Sequence, residues 1–100
     1  MAKIRVKRAG RVQLLLAGKQ NLNIEDVAAF FGVSVGSARR YQELGIVDVS
    51  ARDGARLQFD PDDVRWARDQ FRRLRAAGYT VPLVAREIQK LRLDRPHVQG

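Results

Sequence analysis

The stretch from Ile24 to Val47 constrains the fold of this chain more than any other. Its first part has apolar residues at positions i, i+3, i+4 and i+7, the spacing of a short amphipathic helix. These residues are Ile24, Val27, Ala28 and Phe31. Asn23 stands before the stripe as an N-cap, and Gly32 can adopt the left-handed conformation that ends a helix. We therefore predict a short helix that ends at Gly32.

A second helix is predicted directly after this glycine. Ser34 is positioned to cap it, Val35 begins it, Ala38 faces inward and Leu44-Gly45 ends it. Two short helices joined by a glycine-containing turn of about three residues are typical of the helix-turn-helix that enters the DNA major groove. This pair of helices is the strongest indication of function in the sequence.

A β-hairpin is predicted after the second helix. Alternating apolar residues flank Asp53-Gly54, which is a strong signal for a tight hairpin turn. The alternating residues are Val47, Val49 and Ala51 before the turn and Leu57 and Phe59 after it. A hairpin in this position is a wing, and Arg52 and Arg56 lie beside its tip, where they could reach DNA phosphates.

Two more helices complete the predicted fold. Asp60 caps the first, Pro61 takes its first position, and the helix runs to about Ala77. Its inner stripe is Val64, Ala67, Phe71 and Leu74, Trp66 covers the edge of the core, and its outer face carries Arg65, Arg68, Arg72, Arg73 and Arg75. The second starts near Thr80 and has its stripe at Val81, Val84, Ala85, Ile88 and Leu91. The predicted fold class is mainly α, a winged helix-turn-helix with a two-stranded wing followed by two further helices.

Composition favours a polyanionic partner and argues against several kinds of site. Nineteen Lys and Arg against eleven Asp and Glu give a net charge of +8, which most often indicates nucleic acid. The chain has no cysteine and one histidine, His97, so we expect no metal, no cofactor and no enzymatic activity. The lack of cysteine and of a long apolar run favours a cytoplasmic, nucleoid-associated protein that does not contact a membrane.

The first 21 residues form a basic arm. Lys3, Arg5, Lys7 and Arg8 precede any acidic residue, and such arms contact the minor groove or phosphates in other proteins. A disordered tail that only aids solubility is an equally good interpretation. Val12, Leu15 and Leu16 have helical spacing, so a short extra helix is also predicted. We expect a compact domain over residues 22–93 and a tail over 94–100.

Three groups of residues resemble the DNA-binding head of the MerR family of bacterial regulators. They are Gly32-Val33-Ser34, Ala38-Arg39-Arg40-Tyr41 and Leu44-Gly45-Ile46-Val47, and the likeness continues at Gly54, Arg56, Phe59 and Gly78-Tyr79-Thr80. The resemblance covers roughly residues 22 to 91. It implies that Arg56 contacts the DNA backbone or minor groove and that the Tyr41 hydroxyl touches phosphate, although core packing is as good an interpretation for Tyr41.

The family's full-length members continue into a long dimerisation helix and an effector-binding domain. We expect neither in this chain, which would then be a short stand-alone regulator or the excised head of a longer one. Val35 and Gly36 replace the longer polar residues that are common in the first turn of the recognition helix. Base readout should therefore be sparse, with Ser37, a Val35 contact to a thymine methyl, and Arg39 or Arg40, and DNA shape should supply much of the specificity.

Three functions are compatible with this sequence. The first is sequence-selective binding of double-stranded DNA by a transcriptional regulator, alone or as a homodimer or side-by-side oligomer. The second is an architectural role in a phage or mobile element, of the excisionase or packaging type. The third is a protein-binding module whose basic face docks an acidic partner such as RNA polymerase. The predicted DNA contacts are Lys3, Arg5, Lys7, Arg8, Val35, Gly36, Ser37, Arg39, Arg40, Tyr41, Arg52 and Arg56.

Overall fold

The computed structural model describes residues 21–94 and contains the predicted elements in the predicted order. The helices are α1 (Ile24–Phe31), α2 (Val35–Leu44), α3 (Pro61–Ala76) and α4 (Val81–Asp94), and the strands are β1 (Ala51–Asp53) and β2 (Arg56–Gln58). The two strands form one antiparallel sheet. The mainly helical fold with a two-stranded wing, predicted from the sequence, is therefore confirmed.

The predicted caps of α1 are present. The Asn23 side chain accepts from the Asp26 amide at 2.8 Å, and the Asp26 carboxylate accepts from the Asn23 amide at 3.0 Å. This reciprocal pair is a capping box, which satisfies two amides that the helix itself leaves without partners. At the other end Gly32 has φ 71°, and the Val33 amide donates to the Ala28 carbonyl at 3.0 Å. The left-handed turn at Gly32 sends the chain directly into α2.

The apolar stripe of α1 is wider than the sequence analysis proposed. Phe30 is buried, with 5% of its surface exposed, whereas Phe31 is only partly buried. The two rings follow Val27 by three and four positions, so both lie within the apolar arc of the helix. Phe30 faces the centre of the core, and Phe31 packs at its edge. The predicted stripe therefore included Phe31, which packs against the core, but omitted Phe30, which is buried within it.

The wing turns one residue later than predicted. Asp53 pairs with Arg56, so the two-residue turn is Gly54-Ala55 rather than Asp53-Gly54. Gly54 has φ 63°, and no non-glycine residue in the described chain has a positive φ. A positive φ at the first central position only is the pattern of a type II′ hairpin turn. Ala51, predicted to continue an apolar row, is exposed because the ribbon projects away from the core.

The base of the wing joins the core through one additional pair of hydrogen bonds. Leu22 and Phe59 form an isolated antiparallel bridge, with both N–H···O distances at 2.8 Å. Both side chains are buried, and so is Val47 at the start of the hairpin region. The segment before α1 is thereby held against the strand that leaves the wing. This bridge fixes the wing beside the N-terminal end of α1.

The predicted inner stripes of α3 and α4 are confirmed for most positions. Val64, Ala67 and Leu74 of α3 and Val84, Ala85 and Ile88 of α4 are buried. Phe71, Trp66, Val81 and Leu91 are partly buried. The Asp60 carboxylate accepts from the Asp62 amide at 3.1 Å, which confirms the predicted cap of α3. These stripes and those of α1 and α2 meet in one hydrophobic core.

The predictions for the two chain ends lie outside the described residues. They are the basic arm with Lys3, Arg5, Lys7 and Arg8, the short helix predicted within the first 21 residues, and the tail predicted over residues 94–100 except its first residue. The division of the chain at residues 21 and 94 also stays a prediction. Between residues 21 and 94, none of the helices is both long enough and apolar enough to cross a bilayer.

Candidate nucleic-acid interface

The first turn of α2 contains the predicted contacts Val35, Gly36 and Ser37. Ser34 caps the helix: its hydroxyl accepts from the Ser37 amide at 3.1 Å, and the two serine hydroxyls lie 3.2 Å apart. A Cβ atom added at Gly36 would meet only the Ser34 hydroxyl, at 3.8 Å. Packing therefore does not require glycine at this position, which costs a helix about 1 kcal/mol relative to alanine. The small residue leaves the outer surface of the first turn flat.

The two arginines of α2 point in different directions. Ala38 is fully buried, and each following residue is turned by about 100° around the helix axis. Arg40, two positions later, therefore lies almost opposite the buried side. Arg39 lies on the flank between Ala38 and that outer face. Both side chains are exposed, so the residue best placed to enter a groove is Arg40, with Arg39 beside it.

Tyr41 lies at the centre of an aromatic cluster that joins three helices. Its ring centroid is 5.9 Å from that of Phe31 in α1 and 5.0 Å from that of Phe71 in α3. The Phe31 and Phe71 centroids are 5.6 Å apart with the rings nearly perpendicular, a favourable arrangement for aromatic pairs. Tyr41 is only partly buried. The Tyr41 ring therefore packs against the core, which was one of the two interpretations expected. Contact of its hydroxyl with a phosphate stays a prediction.

The register of the wing separates its two arginines. Arg52 pairs with Leu57, and Arg56 pairs with Asp53. Paired residues of an antiparallel ribbon share a face, and successive residues alternate between faces. Arg52 and Arg56 therefore project from opposite faces of the wing, although both are exposed. Both arginines lie beside the tip of the wing, on opposite faces of the ribbon.

A cleft of about 420 Å³ separates α2 from the wing. Its lining residues come from the start of α1, one flank of α2 and the wing; they are Asn23, Ile24, Glu25, Arg39, Gln42, Glu43, Ala55, Arg56 and Leu57. Arg39 and Arg56 thus face one space from two different elements, and Arg52 does not line it. Glu25 and Glu43 line the same cleft, so its charge is mixed rather than uniformly positive.

The basic outer face of α3 is less uniform than predicted. Arg72, Arg73 and Arg75 are exposed, but Arg65 and Arg68 are partly buried. The Arg68 guanidinium lies 4.4 Å from the centroid of the Phe30 ring, a cation–π distance. Burial lowers the pKa of Arg68, and the neighbouring charge of Arg72 lowers it further, while Asp69 opposes the shift. The Arg68 side chain therefore packs against the buried Phe30 ring and does not only contribute charge to the surface.

Gln89 and Arg92 of α4, which were not among the predicted site residues, contact the end of α2 and the residues that follow it. The Gln89 side chain donates to the Leu44 carbonyl at 2.6 Å, and Arg92 donates to the carbonyls of Gly45 and Ile46, both at 2.9 Å. The partners are 45 to 47 positions apart in the chain. No local sequence pattern predicts contacts over such a separation.

Most of the net charge lies outside the described domain. Residues 21–94 contain 12 Lys and Arg and 11 Asp and Glu, a net charge of +1. Residues 1–20 contain six Lys and Arg and no acidic residue. The +8 of the whole chain is therefore chiefly a property of the arm. Within residues 21–94, no group of three or more His, Cys, Asp and Glu side chains could hold a metal ion.

Comparison with known proteins agrees with this arrangement of helices and wing. The family model described as MerR HTH family regulatory protein matches residues 22–91. No curated protein and no solved structure matches this chain significantly. The matched segment begins at Leu22, which bridges to the wing, and ends at Leu91 in the last helix. It includes the whole helix-turn-helix, the wing, all of α3 and most of α4, and the chain therefore belongs to the MerR family of helix-turn-helix regulatory proteins.

Proposed function

We propose that this protein binds double-stranded DNA with sequence selectivity and thereby regulates transcription. Its family is one of DNA-binding transcriptional regulators. The single observation that carries the proposal is the convergence of Arg39 from α2 and Arg56 from the wing on one cleft, with Arg40 on the adjacent outer face of α2. A helix that enters the major groove and a wing beside it would place these three guanidinium groups along one DNA strand.

The outer face of α2 would read bases. Arg40 is the side chain opposite the buried Ala38, and arginine can donate two hydrogen bonds to one guanine. Ser37 can contact a base edge at the start of the helix, and Val35, which is partly buried against the core, can contact a thymine methyl group only with its exposed part. Gly36 allows the helix backbone to approach the base pairs closely. Because only three of these four residues have side chains, DNA shape and deformability would supply much of the remaining selectivity.

Backbone contacts would come from the sides of α2. Arg39 and Arg56 can hold a phosphate that enters the cleft between helix and wing, since a guanidinium group binds phosphate with two parallel hydrogen bonds. The Tyr41 hydroxyl would contact a phosphate on the opposite flank of α2. Arg52 projects from the other face of the wing and would contact a different phosphate or none. These contacts set the position of α2 without reading sequence.

The basic arm would supply most of the sequence-independent affinity. Lys3, Arg5, Lys7 and Arg8 belong to a segment with six positive charges and no negative ones, whereas the described domain is nearly neutral. Neutralised phosphates release counterions, so this part of the affinity should fall steeply with salt. The protein would act on the chromosome in the cytoplasm. Homodimers, side-by-side binding on repeated sites and contact with RNA polymerase are further proposals.

A selection from random DNA duplexes at two salt concentrations tests the proposed function. A selective regulator should enrich a short sequence with a few fixed base pairs at both salt concentrations, and footprinting should show protection over that sequence. Enrichment of many fixed base pairs would contradict the sparse readout. If no duplex is retained even at low salt, the proposed function is wrong, and docking to an acidic protein becomes the better hypothesis.

An architectural role is the second candidate function, and the flat first turn of α2 favours it. Val35 and Gly36 offer little to base edges, so shape-dependent binding could dominate. Ring closure of short DNA fragments separates the two functions. An architectural protein should accelerate closure on any flexible sequence, whereas a selective regulator should show this effect, if at all, only on its selected site.

A further inference from the structure

The carbonyl groups at the C-terminal end of α2 have partners in another helix. A helix leaves its last carbonyls without partners of its own. Here the carbonyl of Leu44, the last residue of α2, accepts from Gln89 of α4 at 2.6 Å, and the carbonyls of Gly45 and Ile46, which follow the helix, accept from Arg92 of α4, both at 2.9 Å. The recognition helix therefore ends in contact with α4.

Arg92 also binds the segment that connects α2 to the wing. Its guanidinium forms a two-point contact with the Asp63 carboxylate, at 3.2 and 3.0 Å, and its Nε atom lies 3.4 Å from the Asp48 carboxylate. The Asp63 carboxylate accepts from the Asp48 amide at 3.3 Å. One arginine thus holds positions 45, 46 and 48 of the connecting segment and attaches them to the first turn of α3.

The environment of Arg92 makes this contact rigid. The side chains of Arg92 and Asp63 are only 16% and 15% exposed. The guanidinium lies 5.2 Å from the centroid of the Trp66 ring, within cation–π range. The planar guanidinium group of Arg92 has little rotational freedom, because several acceptors surround it. A lysine ammonium group on its flexible side chain could donate to fewer of these acceptors.

We infer that Arg92 is a positioning residue for DNA recognition, which fixes the direction of α2 relative to the wing. The segment between them begins at Gly45, whose φ is 88°, and a glycine gives the backbone an unusually free pivot. Selective binding requires Arg40 on α2 and Arg56 on the wing to reach the same DNA together. Arg92 restrains the backbone at Gly45, about which α2 could otherwise turn relative to the wing. This inference depends on the proposed DNA binding.

The test compares Arg92→Lys with Arg86→Lys as the matched control. Both substitutions keep the charge and lie in α4, but Arg86 is exposed, and within residues 21–94 the structure shows no hydrogen bond or ion pair for it. Residual dipolar couplings of the free proteins report the angle between α2 and the wing. Binding is measured for the selected duplex and for a scrambled one, and thermal unfolding verifies that each variant is folded at the assay temperature.

We expect Arg92→Lys to change the dipolar couplings of α2 relative to the wing and to reduce the ratio of selected to scrambled affinity about tenfold, as loss of hydrogen bonds from a charged group would. Arg86→Lys should leave both quantities unchanged. A contact that only stabilises the fold would lower the unfolding temperature without changing either quantity in the folded protein, and that result would overturn the inference. An equal loss of selectivity in both variants would overturn it as well.

A second variant keeps the inference testable if Arg92→Lys does not fold. Asp63→Asn retains the shape of the partner and weakens its hold on Arg92, so we expect a smaller change of the same kind in the dipolar couplings. Unchanged couplings in Asp63→Asn would then overturn the inference. These couplings are measured without DNA, so a failure of wild-type protein to bind any duplex would refute the proposed function separately from the geometric role of Arg92.

Discussion

Arg52 and Arg56 project from opposite faces of the wing, because Arg52 pairs with Leu57 and Arg56 pairs with Asp53 in the antiparallel ribbon. Only Arg56 lines the cleft that also contains Arg39. Two arginines that are close in sequence and equally exposed are therefore not equivalent. Leu57, which shares a face with Arg52, lines the same cleft, so the two arginines are distinguished by the position of Arg56 in the cleft and not by the register alone.

This geometry predicts different effects for the two wing arginines. Arg56→Ala should weaken binding to all duplexes and reduce the slope of log affinity against log salt by about 1, as expected for one lost phosphate contact. Arg52→Ala should have a smaller effect on both. Fluorescence anisotropy over a series of salt concentrations measures the two quantities. The assignment of Arg56 to the DNA side is wrong if Arg52→Ala has the larger effect.

The position of Arg40 predicts a change in selectivity. Arg40→Ala should cost about 1–3 kcal/mol at the selected site and relax the preference at one base position, as for a lost contact between arginine and guanine. Arg39→Ala, on the flank of α2, should weaken binding to selected and scrambled duplexes alike. Repeating the selection with each variant is the measurement. An unchanged preferred sequence for Arg40→Ala would show that Arg40 does not read a base.

The aromatic cluster separates two roles of Tyr41. Tyr41→Phe keeps the ring between Phe31 and Phe71, so the free energy of unfolding should change by less than about 1 kcal/mol. Tyr41→Ala removes a partly buried ring and should cost about 2–3 kcal/mol. Urea unfolding measures both. If the hydroxyl touches phosphate, Tyr41→Phe should also weaken DNA binding several-fold while remaining fully folded; unchanged binding would leave Tyr41 with packing alone.

Gly45 and Gly54 allow a test of close packing at the end of α2. Both have a positive φ, 88° and 63°, so alanine is strained at either position, by about 1–2 kcal/mol. A Cβ atom at Gly45 would also lie 2.6 Å from the Gln89 Nε2 atom, whereas one at Gly54 would meet nothing within 4 Å. Urea unfolding should therefore show the greater loss of stability for Gly45→Ala. Equal losses of stability would mean that the Gln89 side chain moves aside at no cost in free energy.

The charge distribution predicts where the salt dependence of DNA binding originates. Replacing four of the six cations of the arm, Lys3, Arg5, Lys7 and Arg8, by glutamine should reduce the salt slope by up to about 0.9 for each phosphate they neutralise. Replacing four exposed cations of the domain outside the proposed interface, namely Arg72, Arg73, Arg86 and Lys90, is the charge-matched control and should have a smaller effect. Equal slopes for the two variants would indicate that charge acts without regard to position.

Local sequence patterns were sufficient to predict the elements of this fold. The N-cap at Asn23, the turn at Gly32 and the Asp60-Pro61 start of α3 each depend on residues within one helical turn, and each was predicted from the sequence, whereas the reciprocal Asp26 contact of the capping box was not. The wing was predicted too, but its turn was one residue early, because Asp53-Gly54 and Gly54-Ala55 are both acceptable local turns. The pairing of whole strands decides between them.

The candidate site depends partly on local and partly on distant relationships. The arrangement of Arg39, Arg40 and Tyr41 on α2 follows from helical periodicity alone. Their environment does not follow from periodicity, because it depends on contacts between residues of different elements. These contacts are the packing of Tyr41 against Phe71, the cleft lined by both Arg39 and Arg56, and the hydrogen bond from Arg92 to the Gly45 carbonyl. None of these pairs has a signature in the sequence between them.

Within residues 21–94, the sequence by itself determined which segments are helical and where α1, α2 and α3 begin and end; it also determined that the positive charge is concentrated in the arm. Those properties depend on caps, backbone conformation and composition, which act over a few residues. Tertiary structure alone decided which phenylalanine of α1 is central, which wing arginine faces α2, and which residues of α4 hold the recognition helix. Those outcomes follow from close packing and strand register, which are set by the whole chain at once.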